Sequence, residues 1–240
     1  MLDRWLKLDT RVRSERQELM DDLSLQGDEL EKCLRELSFI NTTLGGVYPS
    51  VSGVFGLIPA GCKRLSVLDI GTGSADLPRH LAKEARKRGI EIHITAIDLS
   101  DTTIATAQKL SADYPEITLR VVNLFDLPLE QKFDVVHAAL VLHHFSIADA
   151  PRALAQMFAL SRYGVVLNDL HRHALAWLGI RLLTRVLSRN RFIRNDGPLS
   201  VLRAFVRRDF EAMAEKQALP APEVTWLPLF RWRAIYRRQQ

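Results

Sequence analysis

Two glycines two residues apart, Gly71 and Gly73, stand between carboxylates at Asp69 and Asp76 in the stretch VLDIGTGSADLPRHL, Val67 to Leu81. Glycine has no Cβ, so such a turn admits left-handed backbone angles and lets a bound molecule lie against the main chain. An apolar run, Leu65 to Ile70, leads into the turn, and Leu77 and Leu81 follow at helical spacing. The turn therefore joins a strand to a helix, which opens near Ser74 with N–H groups that lack intrahelical partners. A dinucleotide site wants G-x-G-x-x-G, with a pyrophosphate on the helix start. Here Asp76 takes the place of the third glycine, and Asp69 adds a second negative charge. Both repel a pyrophosphate and suit a cationic ligand.

Other residues with chemistry stand at the ends of apolar runs. Ile92 to Ile97 is β-branched and ends at Asp98 and Leu99, about 25 residues past the glycine turn. A carboxylate there can accept both hydroxyls of a ribose. It can also cap the helix from Thr102, although Ser100 or Asp101 can do that instead. Ile117 to Val122 is a third strand and leads into NLFDLPL, which starts at Asn123 and Leu124. Phe133 to Leu140 is a fourth; its end, at Ala139, enters VLHHF with His143 and His144. A fifth, Tyr163 to Asn168, ends in Asp169, which can orient His144 or cap the next helix. Ligands of open α/β sheets gather at the carboxyl ends of parallel strands, so these residues converge. Near neutral pH a histidine there can take a hydroxyl proton, or it can bond strand-end backbone and shape the cleft.

In order and spacing, VLDIGTGSADL, AIDLS, NLFDLP and FDVVHAALVLHHF resemble the class I S-adenosylmethionine-dependent methyltransferases related to ubiquinone and menaquinone methylases, over residues 40–170. The resemblance implies a Rossmann-like α/β fold, with a seven-stranded, mostly parallel sheet in the order 3-2-1-4-5-7-6 flanked by helices. It implies S-adenosylmethionine as cofactor, held by Asp69, Gly71, Thr72, Gly73, Asp76, Asp98, Leu99, Asn123, Leu124 and Ala139. Family members carry an acid at the place of Asn123 that takes the adenine amino group, with the next backbone N–H meeting the ring. An amide oxygen can still accept from that amine.

The elements around this core are less regular. Residues 1–62 are expected to be helical, with Leu30, Leu34 and Leu37 on one side of a helix from Asp28 that ends at Asn41. That helix packs against the core or closes over a substrate. Pro49 to Pro59 is apolar with interspersed glycines and serines, and runs either beneath the sheet or into the cleft. The core is expected over 63–170, a basic helical insertion over 171–205, and a closing helix, Val206 to Leu219, with two antiparallel strands over 206–240. Residues 1–170 carry a net charge of −4 and 171–240 one of +9. His171 to Asn195 contains six arginines and no acid, with Trp177, Leu182, Leu183, Val186 and Leu187 at helical spacing. Such a segment fits a packed insertion, an acyl-substrate lid, a membrane-surface contact or a dock for an acidic carrier protein. No aromatic-basic RNA module is visible, so nucleic acid is not an expected partner. The tail NDLHR to NDGPLSVLRAF resembles a bacterial subgroup associated with polyketide and phenolic-lipid pathways.

The two cysteines, Cys33 and Cys62, match no metal or redox spacing, and no metal is expected. The charged start MLDRWLKLDTRVRSER does not read as a secretory signal, and no apolar run is long enough to span a bilayer, so a cytoplasmic protein is expected. The sequence reading is a methyltransferase acting on a small hydrophobic acceptor, at an oxygen of a phenolic or polyketide compound, with His144 and His143 as the catalytic candidates. The alternatives are a carbon methylase of quinone type and a non-catalytic partner that keeps the fold.

Overall fold

A computed structural model describes residues 10–25 and 27–239; the expectation for the charged start of the chain falls partly on residues 1–9, outside the described part. Seven strands form one sheet in the order β3-β2-β1-β4-β5-β7-β6. They are β1 (Arg64–Ile70), β2 (Glu91–Asp98), β3 (Ile117–Val121), β4 (Phe133–Ala139), β5 (Ser161–Leu170), β6 (Glu223–Leu227) and β7 (Arg231–Arg237). The first five pair in parallel, and β7 runs antiparallel between β5 and β6. This is the order and polarity that the sequence implied.

Both faces of the central strands are buried, which explains their near-continuous apolar runs. Side chains alternate by two. Leu68 and Ile70 of β1 meet Val136, Leu154, Met157 and Phe210 on one face. Leu65 and Val67 meet Leu81, Val135 and Val166 on the other. Around the sheet lie α1 (Asp28–Thr43), α2 (Val47–Leu57), α3 (Asp76–Arg88), α4 (Asp101–Leu110), α5 (Asp149–Leu160), α6 (Ala174–Leu187), α7 (Arg191–Arg203) and α8 (Arg207–Lys216).

Three regions depart from the sequence reading, and a fourth, 49–59, takes one of the two courses it left open. Residues 10–25 are not helical apart from a 3-10 turn at Leu19–Asp21. They form a strap because their backbone and buried Arg13 bond to distant parts of the chain, such as Ser14 N–H to Leu202 C=O at 2.9 Å. The apolar stretch 49–59 lies mostly in α2, which runs beneath the sheet. A Cβ on Gly53 would stand 2.6 Å from Val166 Cγ1, so glycine is what allows this helix so close to β5. The basic stretch splits at Ser188, and Asn190 starts α7 by accepting the Phe192 N–H at 2.9 Å. The sequence also stops the first long helix two residues early: α1 continues through Thr43, and Gly45 at φ +70° follows it.

Candidate active site

A cleft of about 570 Å³ opens at the carboxyl ends of β1, β2 and β4 and beneath α1 and the strap. This is within the size range of small-ligand sites. One half is polar and built from the β1–α3 turn and its neighbours. Gly71 (φ +61°) and Gly73 (φ +54°) both adopt left-handed backbone, with different surroundings. A Cβ on Gly71 would run into the Val141 side chain, whereas one on Gly73 would meet nothing within 4 Å. Gly73 is therefore the open floor of the turn, and Gly71 is where the turn packs on the β4 loop.

Asp98 ties this turn to the end of β2. Its carboxylate accepts from Gly73 N–H at 3.1 Å and from Ser100 N–H at 3.2 Å, which leaves lone pairs on both oxygens. Ser100, not Asp98, caps α4 by accepting from Thr103 N–H at 3.2 Å. Burial pushes the Asp98 carboxyl above its usual range, against the backbone donors that stabilise its charge.

Asp69 is buried and its Oδ1 lies 2.5 Å from His137 Nδ1, on the β4 residue that pairs with it in register. Asp76 is likewise raised by burial, against the Asn41 Nδ2 donor at 3.3 Å. Asn41 in turn accepts from buried Arg231 at 2.9 Å, so one guanidinium stands behind the acidic rim. Burial lowers Arg231 to about 10, while Asp169 and Asp76 oppose that shift. Thr72 Oγ1 is buried and has no hydrogen-bond partner among the described residues.

Leu99, Asn123, Leu124 and Ala139 also line the cleft. Asn123 Oδ1 already accepts the Phe125 N–H at 3.0 Å, so only its second lone pair remains for a ligand. Leu140, next to Ala139, has φ +57°, an uncommon angle for a branched side chain and a place where backbone strain sits beside the cleft.

The other half is apolar, and part of it comes from α1, for which the sequence left a substrate-covering role open. Leu30, Leu34 and Leu37 of α1, Met20 and Leu25 near the strap's turn, and the edge-to-face pair Phe125 and Phe145 line it. At its base lies the VLHHF turn. His144 lines the cleft and is about one-third exposed, whereas His143 is buried.

Each histidine is held through Nδ1. Asp169 Oδ1 lies 2.6 Å from His143 and Asp21 Oδ1 lies 2.6 Å from His144. Asp169 therefore orients the first histidine, not the second, and the partner of the second lies 123 residues away on the strap. Burial alone would raise the Asp21 carboxyl, but the His144 hydrogen bond and charge, the Glu18 N–H and Arg203 bring it down to about 2.

Buried Arg203 fastens strap to turn, donating to His143 C=O (3.1 Å), His144 C=O (2.7 Å), Arg16 C=O (2.7 Å) and Asp21 (2.9 Å). Arg13 adds bonds to His143 C=O (2.6 Å) and Phe145 C=O (2.7 Å). Asp196 of α7 accepts from Leu19 and Met20 N–H, at 2.9 and 3.0 Å. Beside them Glu18 is buried, and burial raises its carboxyl to about 7 against His144, Ser200 and Arg203.

No described α6 side chain lines this cleft. The acyl-lid reading of the basic segment is therefore wrong for α6: Trp177 packs with Val201 and Ala176, while Leu182, Val186 and Leu187 are exposed. The covering role falls to α1 and the strap.

Residues 67–164 match the family model described as a methyltransferase domain. Over these residues the chain is similar to that family, and its sheet has the strand order of the class I S-adenosylmethionine-dependent methyltransferase fold. Among curated proteins, the ubiquinone/menaquinone biosynthesis C-methyltransferase UbiE of Rickettsia bellii is 28% identical over 97 residues, which is 39% of this chain and 38% of that protein. The chain thus matches less than half the length of this relative. The plantazolicin methyltransferase BpumL, solved with S-adenosylhomocysteine, has a TM-score of 0.64 at 15% identity, covering 86% of this chain and 90% of its own. Human N-acetylserotonin methyltransferase, solved with S-adenosylmethionine, has a TM-score of 0.62 at 14% identity, covering 89% and 57%. At these identities the structural likeness carries the methyltransferase fold. Among the described residues, no helix is long and apolar enough to cross a membrane.

Proposed function

We propose that this protein transfers a methyl group from S-adenosylmethionine to a hydroxyl oxygen of a small hydrophobic acceptor of phenolic or polyketide type. The observation that carries this reading is the two-part cleft: a carboxylate-lined glycine turn opens directly into an apolar compartment that ends at His144. The residues fit the cofactor. Asp69 and Asp76 suit its cationic end, the unpartnered Thr72 hydroxyl and the open face of Gly73 await a ligand, and Asp98 keeps lone pairs for ribose hydroxyls. Asn123 and the Leu124 N–H stand at the adenine end. Bound there, S-adenosylmethionine supplies an electrophilic methyl group on a good leaving group.

The chain's own contribution is alignment and exclusion of water. An acceptor held against Leu30, Leu34 and Leu37 presents its hydroxyl between His144 and the glycine turn. Fixing nucleophile and methyl carbon in line can supply much of the rate. His144, with Nδ1 tied to Asp21, is the histidine that lines the cleft where the acceptor hydroxyl would lie.

The partial match to a C-methyltransferase favours one second reading, transfer to a ring carbon of a quinol. Separate titrations with S-adenosylmethionine and NADH, followed by an activity screen over alkyl phenols and quinols, test both readings. Micromolar binding of the first and none of the second is expected, with O-methyl products. Ring-methylated products alone would replace the oxygen reading, and NADH binding alone would end the methyltransferase reading.

A further inference from the structure

The base of the apolar compartment holds a constellation that methyl transfer by alignment does not require. Glu18, His143 and His144 each present one donor atom, and the three atoms lie within 4.8 Å of one another. Glu18 Oε1 stands 3.7 Å from His143 Nε2. Donors about 2.0–2.2 Å from a tetrahedral zinc ion are separated by roughly 3.4 Å, so this pair already stands close to the spacing of shared ligands. The two imidazoles lie with centroids 4.4 Å apart at 32°, both in the 3-10 turn Leu142–His144.

Three further observations point the same way. Both histidines are anchored by a carboxylate at Nδ1, Asp169 for His143 and Asp21 for His144, each at 2.6 Å. This fixes the ring orientations, leaves Nε2 for a ligand, and is the outer-shell arrangement characteristic of metal-bound histidines. Glu18 is 6% exposed, and its Oε1 has no hydrogen-bond partner, while Oε2 accepts from Ser200 at 2.9 Å. A buried carboxylate oxygen without a partner is costly.

The nearest cation, Arg203, has its Nε 3.7 Å from that oxygen, beyond hydrogen-bond reach. Its N–H groups are engaged by the carbonyls of His143, His144 and Arg16 and by Asp21. Both Glu18 and His144 line the cleft, so a fourth coordination position would face the acceptor.

We propose that Glu18 Oε1, His143 Nε2 and His144 Nε2 bind a divalent transition-metal cation of the zinc type, with an open position toward the acceptor compartment. Two imidazoles and one carboxylate favour such an ion over magnesium or calcium, which prefer all-oxygen sites. A hydroxyl-bearing acceptor fits as fourth ligand, held and polarised at its oxygen. Only this role for the ion rests on the methyltransferase reading; its binding does not. The cysteine spacing gave no metal site because two adjacent histidines have no recognisable ligand spacing and Glu18 is 125 residues upstream of His143.

The test uses the full chain without an affinity tag, stripped with EDTA and titrated with Zn²⁺ by calorimetry and with Co²⁺ by visible absorption, with no cofactor or acceptor present. One ion per chain is expected, with a four-coordinate Co²⁺ spectrum. Glu18→Gln and His144→Gln are each expected to weaken binding by at least about 30-fold, and Asp21→Asn by about 10–100-fold, as for other lost outer-shell partners. Circular dichroism and a cooperative melt identify the variants that remain folded. Binding well below one ion per chain at millimolar metal would overturn the proposal. So would unchanged affinity in folded Glu18→Gln and His144→Gln. S-adenosylhomocysteine binding to the same stripped wild-type protein is measured separately, so failure of the cofactor reading stays distinct from failure of the metal site.

Discussion

The two halves of the cleft are assembled in different ways. The polar half is local: Asp69 to Asp76 form one turn, and Asp98, Asn123 and Ala139 stand at or just past the ends of strands that pair in register with their neighbours. The apolar half depends on contacts between distant parts of the chain. Asp21 meets His144 across 123 residues, Arg13 meets His143 across 130, and Arg203 meets Asp21 across 182. The difference implies that the first half can survive loss of the second, because the sheet places its residues whether or not the strap is seated.

The largest effect is expected where that separation is tested directly. Arg203 is 5% exposed, and its removal takes a charged donor from three carbonyls and Asp21, of which the His144 and Arg16 carbonyls lose the side-chain donor described above. Breaking such a buried network typically costs about 3–5 kcal/mol. Arg203→Met should lower unfolding stability by that amount in urea, abolish most acceptor turnover, and leave S-adenosylhomocysteine affinity within a few-fold of wild type. Equal loss of cofactor affinity would mean that the two halves form a single unit. Asp98→Ala comes next, with the opposite pattern. Losing charge-assisted hydrogen bonds to ribose should cost roughly 1.5–3 kcal/mol, about 10- to 150-fold in cofactor Kd by calorimetry, with little change in acceptor KM. Unchanged Kd in the folded variant would remove Asp98 from the cofactor site.

What the sequence revealed follows the same division. The glycine turn and the placement of Asp98 were legible because apolar runs and strand-end polar residues carry their own local pattern, whereas the strand order was what the family resemblance implied. The sequence treats Gly71 and Gly73 alike as floor for a bound molecule, but a Cβ on Gly71 would meet Val141, and Gly73 has the open face. That distinction depends on how the β4 loop packs, which no spacing encodes. His137 beneath Asp69 could have been found by setting β1 against β4 in parallel register, where the two residues pair. Glu18, Asp21 and Arg203 left no such signal. In the sequence Arg203 belongs to a basic region, and only burial with four acceptors separates it from the solvated arginines of α6. His143 and His144 were recognised as a pair and Asp169 as an orienting carboxylate, though for His144 where it holds His143; Asp21, on the strap, left no signal.

A smaller effect separates the two amphipathic helices. Leu34 on α1 is 6% exposed and lines the cleft, whereas Leu182 on α6 is 56% exposed and does not. Each methylene moved from water into an apolar wall is worth about 0.8 kcal/mol, so truncating the wall should weaken long alkyl acceptors more than short ones. Leu34→Ala is expected to lower kcat/KM about 10-fold for long-chain phenols and about two- to threefold for the shortest. Leu182→Ala should change neither by more than about twofold. The reverse ranking would return the covering role to the basic segment.

The smallest effect concerns the joint between the sheet and α6, outside the cleft. His171 follows the end of β5, with Trp232 at 4.7 Å and His173 at 5.4 Å between ring centroids. Burial lowers its pKa from 6.5 to about 4, and the charges of His173 and Arg172 add to that shift. Above about pH 6.5 the ring is neutral in both folded and unfolded chains and contributes no pH dependence. Between about 6.5 and 4 the unfolded chain takes up a proton that the folded chain refuses, so stability falls as pH falls. His171 is only half-buried, and the loss is correspondingly discounted to about 1 kcal/mol, or roughly 2–4 °C in Tm for a chain of this size. His171→Gln removes the titrating group while keeping a polar side chain. The wild-type-minus-variant difference in Tm should therefore drift downward by that amount from pH 6.5 to 4 and stay flat from 6.5 to 8. Cofactor affinity at pH 7.5 should be the same in both proteins. A difference that is flat across the whole range would show that His171 is protonated as readily in the fold as in the unfolded chain. A changed cofactor affinity would show that the α6 joint and the polar half of the cleft are coupled through β5.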